Sequence, residues 1–347
     1  MAESKRKVLL GMSGGVDSSV AAALLLGQGY EVIGAFMKNW SDCEWRRDMR
    51  DAARVAAQLG LPFVTFDFEK AYRELVVDEM FREYASGRTP NPDVLCNRFV
   101  KFDLFVREAD RLGCDFIATG HYARTYQLPN TKYQLLRSTD ANKDQTYFLW
   151  AIDPNVLSRV LFPLGEMAKP QVRERARELG LATADKPDSV GICFVGEVDM
   201  KQFLVQRIPQ VPGKIVTSDG KEVGIHDGLP FYTIGQREGL KIPMGEPYYV
   251  VEKRMETNEL VVGSAFHPGL FKKETTGIRP NWFRKPAGKT RVLVRLRHRA
   301  PRVPCEIEPL PDDRVRIAFD EPQRAVTPGQ SAVFYAGDEV IGGAIIE

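Results

Sequence analysis

The sequence predicts an α/β chain: a doubly wound parallel sheet over residues 1–197, a small central domain at 198–275 and a C-terminal all-β barrel at 276–347. Three observations carry this. Short β-rich runs alternate with amphipathic helical stretches through the first 185 residues. A glycine-rich loop separates the first such run from the first helix. After about residue 198, Pro, Gly and short alternating runs dominate.

In chain order, Val8-Leu9-Leu10 reads as a strand and Ser18 to Leu26 as a helix ended by Gly27. Val32 to Met37 is a second strand. Met49, Ala52, Ala53, Ala56 and Leu59 recur at helical spacing and stop at Gly60. Phe63 to Phe68 reads as a strand, Ala71 to Tyr84 and Arg98 to Leu112 as helices, and Phe116 to Thr119 as the next strand. Strands separated by helices of this length imply parallel βαβ units, with ligands at the strand C-termini. Gly213-Lys214-Ile215-Val216, Pro247 to Val251 and Leu260-Val261-Val262 are short β runs. From Arg291, the apolar Val292, Val294 and Leu296 recur at every second position, the alternation of a small β module. No internal repeat is visible.

Composition bounds the function. Hydrophobic residues are 44% and charged residues 27%, as in soluble globular proteins. The longest apolar run, Val20 to Leu26, is seven residues, against the ~20 of a membrane helix. Only Val8-Leu9-Leu10 follows Lys5-Arg6-Lys7, so no secretory leader is expected. The five cysteines (43, 96, 114, 193, 305) are dispersed and form no CxxC, which speaks against a disulfide framework or zinc finger. A reducing cytoplasm without membrane attachment is the expectation. Net charge is only +2, but eight Lys/Arg and no Asp/Glu lie between Arg284 and Arg302. That cluster is a phosphate-backbone footprint or a solvated face.

The sharpest feature is Gly11-Met12-Ser13-Gly14-Gly15-Val16-Asp17-Ser18-Ser19, between a strand and a helix. Glycines let backbone N–H groups turn around an anion, and the helix N-terminus adds partial positive charge. Walker A and GxGxxG are both absent; a glycine turn with a serine cap is the bland alternative. Cys96 follows the loop Asn91-Pro92-Asp93, and Cys193 lies in the polar segment Asp188 to Cys193. Each is either a reactive thiol or a buried small hydrophobe. Asp93 suits proton transfer or an Asx turn. Cys43, Cys114 and Cys305 read as packing residues.

The string from Ser13 to Ser19 resembles the pyrophosphate loop of the N-type ATP pyrophosphatases (PP-loop, adenine nucleotide α-hydrolase-like fold). Further blocks narrow this: Phe36 to Trp40, Gly87 to Asn97, Ala118 to Tyr122, Asn142 to Leu149, Gly191 to Glu197, Thr233 to Arg237 and Val326 to Tyr335. Together they resemble the tRNA-specific 2-thiouridylase (MnmA) family, from Val8 to Glu347. The resemblance implies that ATP adenylates the 2-oxygen of the wobble uridine 34 and that persulfide sulfur replaces it, giving 2-thiouridine in tRNAs for Lys, Glu and Gln. It implies Cys193 as persulfide carrier and Cys96 as the thiol that attacks it, releasing sulfide or leaving a transient Cys96–Cys193 disulfide. Asp93 would move a proton.

By the same resemblance Gly11, Met12, Ser13, Gly14, Gly15, Val16, Asp17, Ser18, Met37 and Gly120 hold ATP. Mg²⁺ sits on its phosphates, with Asp17 as a ligand directly or one shell removed. Asn91, Pro92, Asp93, His121, Lys143, Asp144, Gln145, Arg297, His298 and Gln330 touch tRNA, with Lys143 to Gln145 opening a helix. Arg291 and Arg295 would grip the backbone, and the central domain also contacts tRNA. The partner implied is a persulfide donor, either a cysteine desulfurase or a small sulfur-relay protein. Two alternatives stand: a PP-loop amide ligase acting on a small carboxylate, and an iron–sulfur cluster on Cys96, Cys193 and Asp93. The scattered spacing disfavours the cluster.

Overall fold

A computed structural model describes residues 5–41, 45–129, 132–188, 199–240, 242 and 247–347. Its first half runs β1 (Lys7–Gly11), α1 (Val16–Gly27), β2 (Glu31–Lys38), α2 (Trp45–Gln58), β3 (Phe63–Asp67), α3 (Glu69–Tyr72), α4 (Asp78–Ala85), α5 (Pro92–Leu95) and α6 (Phe105–Arg111). It continues through β4 (Phe116–Ala118), β5 (Ala123–Gln127), β6 (Tyr133–Arg137), β7 (Val160–Leu161) and α7 (Lys169–Glu178). Five parallel strands form one sheet in the order β3-β2-β1-β4-β7. The run Val8-Leu9-Leu10 is wholly apolar because both faces are covered. Leu9 joins the core under α3 to α6, while Val8 and Leu10 join the core under α1, α2 and α7.

The helices differ from a plain 3.6-residue reading. The stretch expected at Ala71–Tyr84 contains a π-helical turn, Arg73–Val77, between α3 and α4. The helix expected from Arg98 starts earlier, at Pro92, and passes through a π segment, Cys96–Leu104, before α6. Its start follows local chemistry: the Asn91 side chain accepts from Asp93 N (3.2 Å) and Val94 N (3.4 Å), with Pro92 at the first helical position.

After α8 (Met200–Val205), a central sheet of β8 (Gly213–Thr217), β9 (Glu222–His226), β10 (Tyr249–Arg254) and β11 (Glu259–Gly263) has the order β10-β11-β8-β9. Ile215, Leu229, Val250, Leu260 and Val262 form its core. Then β12 (Phe271–Trp282), β13 (Thr290–Arg295), β14 (Val303–Leu310), β15 (Arg314–Arg324), β16 (Ser331–Ala336) and β17 (Glu339–Ile346) form an antiparallel ring, closed because β12 pairs with both β15 and β17. β12 spans the boundary expected at 275/276. The unforeseen hairpin β5–β6 joins this ring through β17, pairing Leu136 with Glu339 and Leu135 with Val340. The barrel is therefore built onto the parallel-sheet half. No helix among the described residues is long and apolar enough to cross a membrane.

Candidate active site

The loop after β1 is shaped from within and from α2. Met12 N donates to Ala35 O at 2.7 Å, which aligns the loop with β2. Gly14 has φ +74°, and a Cβ there would lie 2.2 Å from the Asp48 carbonyl oxygen of α2. Ser18 Oγ accepts from Ser13 N (3.1 Å) and donates to Gly15 O (3.2 Å), and Ser19 Oγ donates to Gly15 O (2.8 Å). The N-cap of α1 is Gly15, which has no side chain to satisfy the first-turn N–H groups, so these remain for an anion. Gly120, just past β4, lies against this turn: a Cβ on it would stand 2.9 Å from Ser18 N. Gly14→Ala combines left-handed backbone strain with a backbone clash and is expected to cost at least ~2 kcal/mol. Thermal melting with and without ATP checks this, and the ATP-induced rise in Tm should vanish.

An ion-pair network stands beside the loop. Lys169, 8% exposed, donates to both oxygens of Asp17 (2.7 and 2.8 Å) and pairs with Asp188 (2.8 Å). Tyr122 OH also donates to Asp17, at 2.8 Å; burial, then the Asp17 charge, holds the phenol protonated. Asp188 further accepts from Lys143 and Arg173, both at 2.6 Å. Burial acts to raise the Asp188 pKa, but the hydrogen bonds from Lys143 and Lys169 win and hold it at about 2. Lys186 bonds the Gly14 carbonyl (3.0 Å), Asp48 (2.8 Å) and Asp51 (2.6 Å), so its charge braces loop against helix. Sequence reasoning missed Tyr122, Lys169 and Asp188. Lys169 lies 152 residues from Asp17, and no local pattern marks such a pair.

The turn leading to Cys96 is held by both other domains. Thr89 N donates to Pro328 O at 2.9 Å, and Gln330 Nε2 donates to the carbonyls of Thr89 (2.9 Å) and Pro90 (3.3 Å). Lys253 Nζ donates to Gly87 O at 2.8 Å; burial lowers this ammonium to about 8. The hydroxyls of Thr89 and Thr233 meet at 3.2 Å. Beyond the turn, Asp93 is partly buried, and Cys96 is 0% exposed at the head of the π segment, an insertion frequent at functional sites. Met37 and Cys96 share one core cluster. Asn97 Nδ2 donates to Phe148 O at 3.1 Å, tying this helix to the segment after Lys143. Cys193 and Cys43 lie outside the described residues; Cys114 and Cys305 are buried. Among the described residues no three His, Cys, Asp or Glu side chains are grouped to hold a metal ion.

Family models match along the chain: "tRNA methyl transferase HUP domain" over residues 6–197, "tRNA methyl transferase PRC-barrel domain" over 201–264 and "Aminomethyltransferase beta-barrel domain" over 272–346. The chain is 48% identical to the tRNA-specific 2-thiouridylase MnmA of Shouchella clausii (strain KSM-K16), covering 98% of this chain and 96% of that protein. The chain belongs to the tRNA-specific 2-thiouridylase family. It is also 48% identical to MnmA of Salmonella paratyphi B (strain ATCC BAA-1250 / SPB7), over 100% of this chain and 98% of that one. A solved 4-thiouridine synthetase–RNA complex with bound ATP aligns with TM-score 0.36 and 21% identity, over 59% of this chain and 50% of that chain.

Several residues expected to meet tRNA have inward partners in this thiouridylase-family chain. Asp144 is 2% exposed and accepts from Arg137 Nε (3.0 Å), Arg295 NH1 (3.1 Å) and Thr146 Oγ1 (2.7 Å). It is a buried charge node together with its partner Arg295, 7% exposed. Lys143 to Gln145 leads into a short 3₁₀ turn, Thr146–Phe148, rather than a helix. Gln145 Oε1 accepts from Tyr122 N at 2.9 Å. Arg297 donates to Ile234 O (3.1 Å), Ala325 O (3.2 Å) and Thr327 Oγ1 (2.8 Å), joining barrel to central domain. Arg291 pairs with Asp320 at 2.6 Å, and Gln330 serves the Thr89 turn.

His121, His226 and His298 are neutral packing groups near pH 7. His298 lies 4.4 Å from the Phe148 ring, and burial, then Arg299 and Arg295, lowers it to about 4. His121 shares a hydrogen bond with Thr119 Oγ1 (2.8 Å) and lies well below its ordinary value through burial, then Lys101. His226 is lowered too. A folded-state pKa below the unfolded one means that the unfolded chain binds more protons. Stability is therefore full above about 6.5 and is lost as pH falls toward about 4. His298 alone contributes about 2 kcal/mol to this loss, after allowance for solvent screening. Urea titrations at several pH values should show it, with His298→Gln flattening the dependence.

Proposed function

We infer that the protein is an ATP-dependent sulfurtransferase that makes 2-thiouridine at position 34 of tRNA. The observation that carries this is the linkage of Pro328 and Gln330 of the barrel to the Thr89–Pro90 turn that precedes Asp93 and Cys96. A small-carboxylate amide ligase would need the phosphate loop but neither that grip nor the two thiols.

An amide-like oxygen on C2 is a poor leaving group; as AMP it leaves readily. The α1 N-terminus and loop residues Gly11 to Ser18 would hold the pyrophosphate, with Met37 and Gly120 bordering the nucleotide and Mg²⁺ travelling on the phosphates. Asp17 is held by Lys169 and Tyr122, so it shapes the loop more readily than it ligates metal. The persulfide on Cys193, loaded by a cysteine desulfurase or a small relay protein, supplies the sulfur. The Cys96 thiolate attacks Cys193 Sγ, forming the Cys96–Cys193 disulfide and releasing hydrosulfide. Hydrosulfide adds at C2, AMP departs with the former oxygen, and Asp93 moves the N3 proton. A two-electron thiol reductant then restores both cysteines. The enzyme works in the cytoplasm on tRNAs for Lys, Glu and Gln, with Asn91, Pro92, Lys143 and the 198–275 domain beside the anticodon arm.

Incubation with unmodified tRNA, ATP, Mg²⁺ and a persulfide source, followed by nucleoside analysis, should yield 2-thiouridine. AMP formation without tRNA, and no thiouridine with it, would establish the amide-ligase reading instead. An iron-free anaerobic preparation should retain full activity.

A further inference from the structure

The outer face of α2 carries Arg46, Arg50 and Arg54 at i, i+4 and i+8, a stripe with successive residues about 6 Å apart along the axis. All three are exposed. Arg46 stacks on Trp45, 4.7 Å from the ring centroid, which orients the guanidinium without using its hydrogen-bond donors. Among the described residues Arg46 and Arg50 have no carboxylate partner, and Arg54 approaches Asp51 only to 4.0 Å. The other faces of the helix are committed: Ala52, Val55 and Ala56 are buried, and Asp48 and Asp51 hold Lys186.

The barrel cluster contrasts with this. Arg284 pairs with Glu339, Arg291 with Asp320 and Arg295 with Asp144, while Arg297 and Arg302 bond carbonyls. The stripe is also fixed in place. The Asp48 carbonyl packs at Gly14, and Lys186 bonds the Gly14 carbonyl, so α2 forms one rim of the phosphate loop.

We infer that Arg46, Arg50 and Arg54 bind the phosphate backbone of the tRNA whose base is presented to that loop. The inference rests on the tRNA substrate proposed above. The loop itself would take a single nucleotide, whereas three cations spread along a helix outside it match a polyanion. Unpaired arginines release condensed counterions from RNA without first breaking an internal ion pair.

The test uses the full chain and unmodified tRNA transcript, without ATP, titrated from 50 to 200 mM salt. The triple variant Arg46→Gln, Arg50→Gln, Arg54→Gln keeps good helix formers. It should bind about tenfold more weakly at low salt, with the log–log salt slope smaller by about 2. Arg50→Gln alone should give about a third of that change, and the triple Arg→Lys variant should bind nearly as the parent does. ATP affinity and Tm should be unchanged. An unaltered tRNA Kd and salt slope in the triple variant would overturn the inference. So would normal tRNA binding with lost sulfur loading, which would assign the face to the donor protein. Absence of tRNA binding by the parent would remove the functional reading itself, and the stripe with it.

Discussion

Cys193→Ala is expected to abolish sulfur loading, and Cys96→Ala to load sulfur normally yet form 2-thiouridine at least about 10³-fold more slowly. The two defects fall at different stages because the thiols do different work. The carrier accepts labelled sulfur from the desulfurase; the second thiol breaks the S–S bond that holds it. Cys96 is wholly buried at the head of its π segment. Both variants should retain tRNA binding and adenylation, since neither thiol serves the phosphate loop. Measuring ³⁵S on the protein and thiouridine in the tRNA separates the stages. Loading by Cys193→Ala together with failure to load by Cys96→Ala would exchange the two roles.

Asp144→Ala is expected to destabilise the fold by about 3 kcal/mol, because it leaves the Arg295 guanidinium in the interior without its carboxylate and Arg137 with Asp338 alone. The side chains of Arg137 and Arg295 are 11% and 8% exposed, and Asp144 pairs with both. Urea denaturation checks this, with tRNA binding measured where the variant is still folded. Pairing Asp144→Leu with Arg295→Met should recover much of the loss, since an apolar pair of similar volume replaces the buried charges. Unchanged stability with weakened tRNA affinity would assign Asp144 to the RNA contact instead.

These residues also mark where sequence reading ends. The β1–loop–α1 unit was legible because its signals are local: an apolar strand, glycines at the turn, and a helix beginning within nine residues. Gly14 and Gly120 are needed for contacts the sequence could not name, the first with Asp48 and the second with Ser18. Asp144 and Gln330 stand in blocks that resemble the family, yet resemblance does not tell an RNA contact from an internal brace. Asp144 finds Arg295 from 151 residues away, and Gln330 finds Thr89 from 241. The helix bearing Cys96 was placed from Arg98 because the periodic pattern begins there, although the Asn91-Pro92 start signal stood six residues ahead. The hairpin β5–β6 was missed because its alternating residues are mostly polar and half-buried, so they resemble a loop.

The phosphate loop, the barrel's hold on the Thr89 turn and the two thiols all rest on one claim, that ATP activates the 2-oxygen of uridine 34. Isotope transfer tests this directly. A tRNA carrying ¹⁸O at C2 of that uridine is turned over with ATP and a persulfide source, and the AMP is analysed by mass spectrometry. One ¹⁸O atom in the AMP is expected for each 2-thiouridine formed. Unlabelled AMP accompanying thiouridine would contradict it.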